Sequence, residues 1–262
     1  MTRNIRPRQK VVVVGFHVAE ADEDLSEVLG EILQGIVALL GPEGVFISES
    51  HYFGDVVAGL QYDTIYHEHL RYYSVRSLQS LLARHRFRIF HVQRIPTHGG
   101  SIRVYASQDP SYPEDQSVAA LLDEERELCA GSPGLSAFRR RVLQSKLELL
   151  ALLRDLKKSG KRIVGIGAPS RASTLINYVG LDDGVLDCVF EVKGSSKVGR
   201  FMPGTVIPVR DEEALYREQP DDALLLSWHI GAELAPKLTR NGFRGDFIIP
   251  LPAPRILAGR DV

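Results

Sequence analysis

Lys161–Tyr178 reads KRIVGIGAPSRASTLINY, and this stretch decides the fold. Arg162–Ile166 is a short strand, GIGAPS a glycine turn, and Arg171–Tyr178 a helix. Glycines there let the backbone approach closely, and the helix N-terminus offers free N–H groups to an anion. Downstream, Leu186–Val192 is the next strand, followed by a glycine-containing loop. Then come a strand at Val206–Val209, a helix at Glu212–Glu218, a strand at Ala223–Ser227, a helix over Ala232–Thr239 and a strand at Asp246–Pro250. This alternation predicts a small Rossmann-like domain over 161–262. Glu191 ends its second strand, where an acid often meets a ribose.

Upstream the order is similar. Val11–Val14 is a β-branched run suited to a strand buried on both faces. Residues 22–40 carry Leu25, Val28, Leu29, Ile32, Leu33, Ile36 and Leu40 at helical spacing. GPEG at 41–44 stops that helix, and Val45–Ser50 is a second strand. Glu49, Ser50 and His51 fall at its carboxyl end, where doubly wound sheets keep their chemistry. Ser74 is an N-cap for a helix reaching His85. Arg88–Arg94 and Ser101–Ala106 are strands separated by IPTHGG. Asp109–Asp115 is a Pro/Ser linker, and Ser117–Ala130 and Leu135–Lys158 are helices broken at GSPG. Phe138, Val142, Leu149, Leu153 and Leu156 form the apolar stripe of the second helix. The expected organisation is a partial sheet domain over 1–108, a linker with helices over 109–160, and the Rossmann-like domain.

Composition narrows the function classes. Hydrophobic residues make up 44% and charged residues 25%, the balance of an ordinary globular protein. A net charge of -1 gives no electrostatic case for nucleic acid or an anionic membrane. No apolar run is long enough for a membrane helix, and no convincing signal-peptide core follows the basic start. Cys129 and Cys188 lie far apart without a CxxC spacing, which fits a reducing cytoplasm and no cysteine metal site.

Tyr62–Tyr73, YDTIYHEHLRYY, holds the chemistry. It packs four tyrosines, two histidines and a glutamate into twelve residues, a density that no amphipathic period explains. Abstracting a proton beside a ketone needs a base, a group that orients it, and a donor to the enolate. Tyr66, Glu68 and His69 supply those types. His67 and His69 also read as an HxH metal pair, if the segment is a strand and His51 or His98 completes the site. A polar turn anchored by its aromatics is the reading without chemistry. PTHGGSIR contributes His98, Gly99, Gly100 and Arg103, either as a phosphate-facing loop or as a plain hairpin turn.

YDTIYHEHLRYYS, THGGSIRVY, VGIGAPSRASTLINYVGL and KVGRFMPGTVIPV together resemble the sugar C-methyltransferase family, over roughly residues 36–257. Members use S-adenosylmethionine to methylate a carbon beside the ketone of a nucleotide-linked deoxysugar. The resemblance implies His69 as base with Glu68 and Tyr66 in support. It implies Ala168, Arg171 and Ser173 on the sugar nucleotide, joining His98, Gly99, Gly100, Arg103 and Gly167 as expected substrate contacts; Trp228 and His229 end a strand and read either as lining the same cleft or, for Trp228, as core. It also implies a methyltransferase sheet that ends in an antiparallel pair. The family has a histidine after the strand matching Val11–Val14; Ala19 lies nearer that position than His17, so the role does not pass to His17. Ile166 and Arg171 stand where the family more often has an aromatic and a lysine. The family's cysteine-rich zinc segment and the glycine-rich turn for S-adenosylmethionine have no match, and Gly15 stands alone. The expectation is a shortened α/β chain holding the substrate half, with self-association through the Val11–Val14 edge. The rival expectations are a non-catalytic nucleotide-sugar binding fragment and a metal-dependent hydrolase on His67 and His69.

Overall fold

The computed structural model describes residues 11–15, 25–129 and 132–261. The chain divides into two compact units: Met1–Ala58 with His67–Ser136, and Gly59–Tyr66 with Ala137–Val262.

The first unit contains β1 (Val11–Gly15), α1 (Leu25–Leu40), β2 (Val45–His51), α2 (Phe53–Ala58), α3 (Val75–Ala83), β3 (Arg88–Ile95), β4 (Ser101–Ser107) and α4 (Gln116–Cys129). Its sheet runs β1-β2-β4-β3. β1 and β2 are parallel, and β4 is antiparallel to both β2 and β3. The antiparallel pair therefore closes the sheet as the sequence implied, with the second hairpin strand inserted beside β2. Leu33, Ile36 and Leu40 of α1, Leu78 and Leu82 of α3, and Val118 and Leu121 of α4 share one core with Phe46, Val92, Ile102 and Val104. The side chains of β1, expected to be buried on both faces, lie outside the described residues.

Local signals act where the sequence places them. Ser74 caps α3, its hydroxyl accepting from the Ser77 N–H at 3.1 Å while the Ser74 N–H donates to Ser77. The fully buried carboxylate of Glu125 accepts from the Val75 and Arg76 N–H groups, at 2.5 and 3.0 Å. A negative charge at a helix N-terminus satisfies orphan donors and opposes the helix dipole.

The second unit contains α5 (Ser132–Lys158, from Ala137), β5 (Ile163–Ile166), α6 (Ser170–Val179), β6 (Val189–Glu191), β7 (Val209–Asp211), α7 (Glu213–Glu218), β8 (Asp222–Leu225), α8 (Gly231–Arg240), β9 (Asp246–Ile249) and β10 (Arg255–Leu257). Its sheet runs β10-β9-β8-β5-β6-β7. All neighbours are parallel except β10 against β9. The sheet is covered on both faces. Ile163, Val189 and Leu224 pack with Leu149, Leu153 and Leu156 of α5 and with Leu175 and Ile176 of α6. Val164, Phe190 and Leu225 pack with Leu215 of α7 and Leu238 of α8. The predicted stripe of α5 is fully used, since Phe138 and Val142 join the same core. β10 was not anticipated; its three residues carry too little pattern to read.

Glu218 of α7 ties Arg210 of β7 to Arg162, the residue before β5. Its carboxylate accepts from Nη1 and Nη2 of Arg210, and from Arg162 Nη2 at 2.6 Å. Hydrogen bonds from Arg210, then Arg162, hold its pKa at about 2, against 4.5 ordinarily. A lowered carboxylate pKa means stabilisation that is complete above about pH 4.5 and lost as pH falls toward 2. Melting of the wild type and of Glu218→Gln from pH 6 to pH 2 is therefore expected to converge at the acid end. A stability gap independent of pH would refute the linkage.

Candidate functional site

In the first unit the carboxyl end of β2 carries a histidine cluster. His51 Nε2 donates to the His98 carbonyl at 3.0 Å, which fixes His51 as its Nε2–H tautomer. The His51 ring lies 5.5 Å from that of His69 and 6.5 Å from that of Tyr72, and His69 lies 6.3 Å from Tyr72. His67 and Glu68 form a turn and His69–Leu70 an irregular stretch, with no strand. An HxH pair therefore has no common strand face here. His67 is 78% exposed and contacts Glu68 Oε1 at 3.8 Å. Among the described residues no three His, Cys, Asp or Glu side chains gather as metal ligands.

The PTHGGS loop is a tight turn in which His98 adopts φ 54° and Gly100 φ 128°. The close approach that Gly100 permits is taken up by Asp55: a Cβ on Gly100 would overlap its carboxylate. Asp55 in turn pairs with Arg94. Arg103 is cross-strand from Glu49 and grips its Oε2 through Nη2 at 2.8 Å and Nε at 3.1 Å. An incoming phosphate would have to compete with that carboxylate.

His91, Asp115 and Ser117 also meet in this unit. Asp115 Oδ2 and Ser117 Oγ both approach His91 Nδ1, at 2.6 and 3.2 Å. A hydrolytic relay needs the two ring nitrogens to serve different partners. This trio shares one nitrogen, and Ser117 also accepts from the Val92 N–H at 2.9 Å, so it ties α4 to β3.

In the second unit a cleft of about 330 Å³ opens at the carboxyl ends of the strands. It is lined by Gly167, Pro169, Phe190, Glu191, Lys197 and Ser227 among others. It sits where the strand order reverses, between β5 and β8, the usual ligand crevice of open α/β sheets. Gly167 has φ +83°, and a Cβ there would lie 2.6 Å from Ser227 Oγ. The Glu191 carboxylate closes over the turn, accepting from the Ala168 N–H at 2.5 Å and the Val192 N–H at 3.1 Å. Lys197 Nζ donates to the Ala168 carbonyl at 2.6 Å.

Of the residues the sequence assigned here, Gly167 lines the cleft. Ala168 is buried and contributes backbone to the turn. Ser173 is partly exposed on α6, its carbonyl accepting from Asn177. Arg171 does not offer its charge outward. It is buried, its Nε and Nη2 donating to Asp63 Oδ2 and Oδ1 at 2.7 and 2.8 Å. Trp228 Nε1 donates to the same Oδ2 at 2.7 Å. Asp63 is the residue that sequence reading passed over. Its partners stand 108 and 165 residues away, so no local spacing announces them. His17 and Ala19 lie outside the described residues.

Residues 96–252 match the family described as the C-methyltransferase C-terminal domain. The chain belongs to that family. It is also 34% identical over 233 residues to C-methyltransferase NovU of Streptomyces niveus. That match covers 87% of this chain and 55% of NovU, so the chain spans about half the length of that relative. The six-stranded, mostly parallel sheet lies within this C-terminal domain, apart from the last strand, β10.

Gly167→Ala tests the glycine turn. A side chain at positive φ, placed on Ser227, costs on the order of 1–2 kcal/mol. Chemical denaturation is expected to read that loss. A variant as stable as wild type would show that the turn has another conformation.

Proposed function

We propose that this chain handles the substrate and its proton in S-adenosylmethionine-dependent C-methylation of a nucleotide-linked keto-deoxysugar. The observation that carries the reading is the His51–His69–Tyr72 cluster at the carboxyl end of β2. In this reading His69 removes the proton from the carbon beside the ketone. The C–H electron pair becomes the C=C bond of the enolate, and the carbonyl π pair moves to oxygen. Tyr66 donates a hydrogen bond to that oxygen, and Glu68 supports the imidazolium. The Nε2–H of His51, held on the His98 carbonyl, leaves its ring fixed beside His69. His98, Gly99, Gly100 and Arg103 border the sugar nucleotide in the first unit. In the second unit Gly167 lines a cleft that suits a nucleoside, with Ala168 and Ser173 on the same turn and helix and Glu191 as an acceptor for ribose hydroxyls.

S-adenosylmethionine would supply the methyl group. Among the described residues of the first sheet no glycine turn opens a helix after a strand. Among the described residues no helix is long and apolar enough to cross a membrane, and the buried Cys188 thiol suits a reducing cytoplasm.

Titration calorimetry with a thymidine-diphosphate-linked keto-deoxysugar is expected to show binding. Proton exchange at its α-carbon in D2O, followed by NMR, then reads the base without needing the methyl donor. His69→Asn is expected to slow exchange on the order of 10² to 10⁴-fold, with affinity within about twofold of wild type. Unimpaired exchange would sink His69 as base. Binding without exchange in the wild type would instead favour a non-catalytic nucleotide-sugar binding module.

We further propose that the 262-residue chain self-associates along β1, which among the described residues pairs with β2 alone. An open strand edge templates pairing with another chain. Light scattering should show mass rising with concentration; a monomer throughout would refute it.

A further inference from the structure

Asp63 is fully buried and receives three hydrogen bonds, two from the Arg171 fork and one from the Trp228 indole. The Arg171 guanidinium also lies 5.1 Å from the centre of the Trp228 ring. These residues come from the turn Tyr62–Thr64, the first turn of α6, and the turn after β8. All three belong to the second unit. A planar fork that meets both carboxylate oxygens leaves little rotational freedom.

From Asp63 the constraint passes to Tyr66 through short backbone bonds. The Ile65 N–H donates to the Tyr62 carbonyl at 3.1 Å, and the Tyr66 N–H to the Thr64 carbonyl at 3.0 Å. Thr174 of α6 donates its hydroxyl to the Ile65 carbonyl at 2.9 Å. The Tyr62 ring meets the edge of Tyr178 at 5.0 Å. Tyr66 thus leaves a turn whose preceding residues are held by α6 and by the end of β8.

We infer that Asp63, Arg171 and Trp228 are positioning residues that fix the backbone from which Tyr66 presents its hydroxyl to the reacting oxygen. The inference rests on the proton-transfer reading above. It replaces the view of Arg171 as a phosphate ligand, because the two nitrogens of its fork face Asp63 inside the protein. Misplacing a catalytic group by about 1 Å costs on the order of 10²-fold in rate.

The test is a set of variants read by α-proton exchange at saturating thymidine-diphosphate-linked keto-deoxysugar, with affinity measured separately. Asp63→Asn is expected to slow exchange about 10- to 10²-fold while affinity stays within about twofold. Arg171→Lys, which keeps the charge but not the fork, should fall between wild type and Asp63→Asn. Trp228→Phe keeps the ring and removes one donor, so it carries the same test if Asp63→Asn does not fold. Groups that act through one another are non-additive. Asp63→Asn, or Trp228→Phe in its place, should therefore add little to the loss already caused by Tyr66→Phe. Full additivity with Tyr66→Phe would overturn the inference and leave the proton-transfer reading standing. Weakened affinity in Arg171→Lys, with exchange at saturation unchanged, would restore the phosphate-ligand role and also overturn it. Unimpaired exchange in both Tyr66→Phe and His69→Asn would overturn the proton-transfer reading and this inference with it.

Discussion

A carboxylate removed from water must find compensation for its lost hydration. Asp63 finds it in a guanidinium fork and an indole N–H. Such a pair adds little net stability when intact, yet removing one partner strands a buried charge at about 3–5 kcal/mol. The asymmetry gives geometry more than stability. Any conformation that separates the Tyr62–Thr64 turn from α6 leaves Arg171 or Asp63 unpaired. The segment before the histidine turn is therefore set by electrostatics inside the second unit, although its neighbours in sequence fold into the first.

The glycine turn after β5 carries a related constraint. Its shape suits an anion at a helix N-terminus, but the Glu191 carboxylate already accepts from the Ala168 and Val192 N–H groups. Lys197 binds the carbonyl of the same turn. A phosphate entering here would meet a like charge, whereas a ribose diol would meet an acceptor. The cleft thus offers an acceptor to a hydroxyl more readily than donors to an anion.

Most of the fold was legible because its signals are local. The stripe of α5, the Ser74 cap, the GPEG stop and the strand–glycine–helix order each lie within one window, and each is found in place. What escaped was long-range. Arg171 reads as an exposed cation at a helix start until Asp63, more than a hundred residues earlier, is seen against it. The glycines of PTHGGS do allow close approach, but the neighbour that arrives is Asp55. The HxH reading required a strand, and a turn at His67–Glu68 followed by irregular chain removes its common face. The His51 partner of His69 was visible only as the end of a strand, since ring contact across eighteen residues has no sequence period.

The membership of Gly59–Tyr66 in the second unit has a consequence for modularity. Leu60 and Tyr62 are buried in the core built on α5 and α6, and Asp63 neutralises Arg171 beside them. The second unit is therefore not a contiguous cassette: one piece of it is encoded upstream, inside the stretch that also supplies the first unit. A recombination junction placed near residue 137 would leave the downstream product without that piece, with apolar slots open and a cation buried alone. Exchange between relatives would be tolerated only where both pieces travel together. Interleaving of this kind makes the two halves of the chain inherit as one.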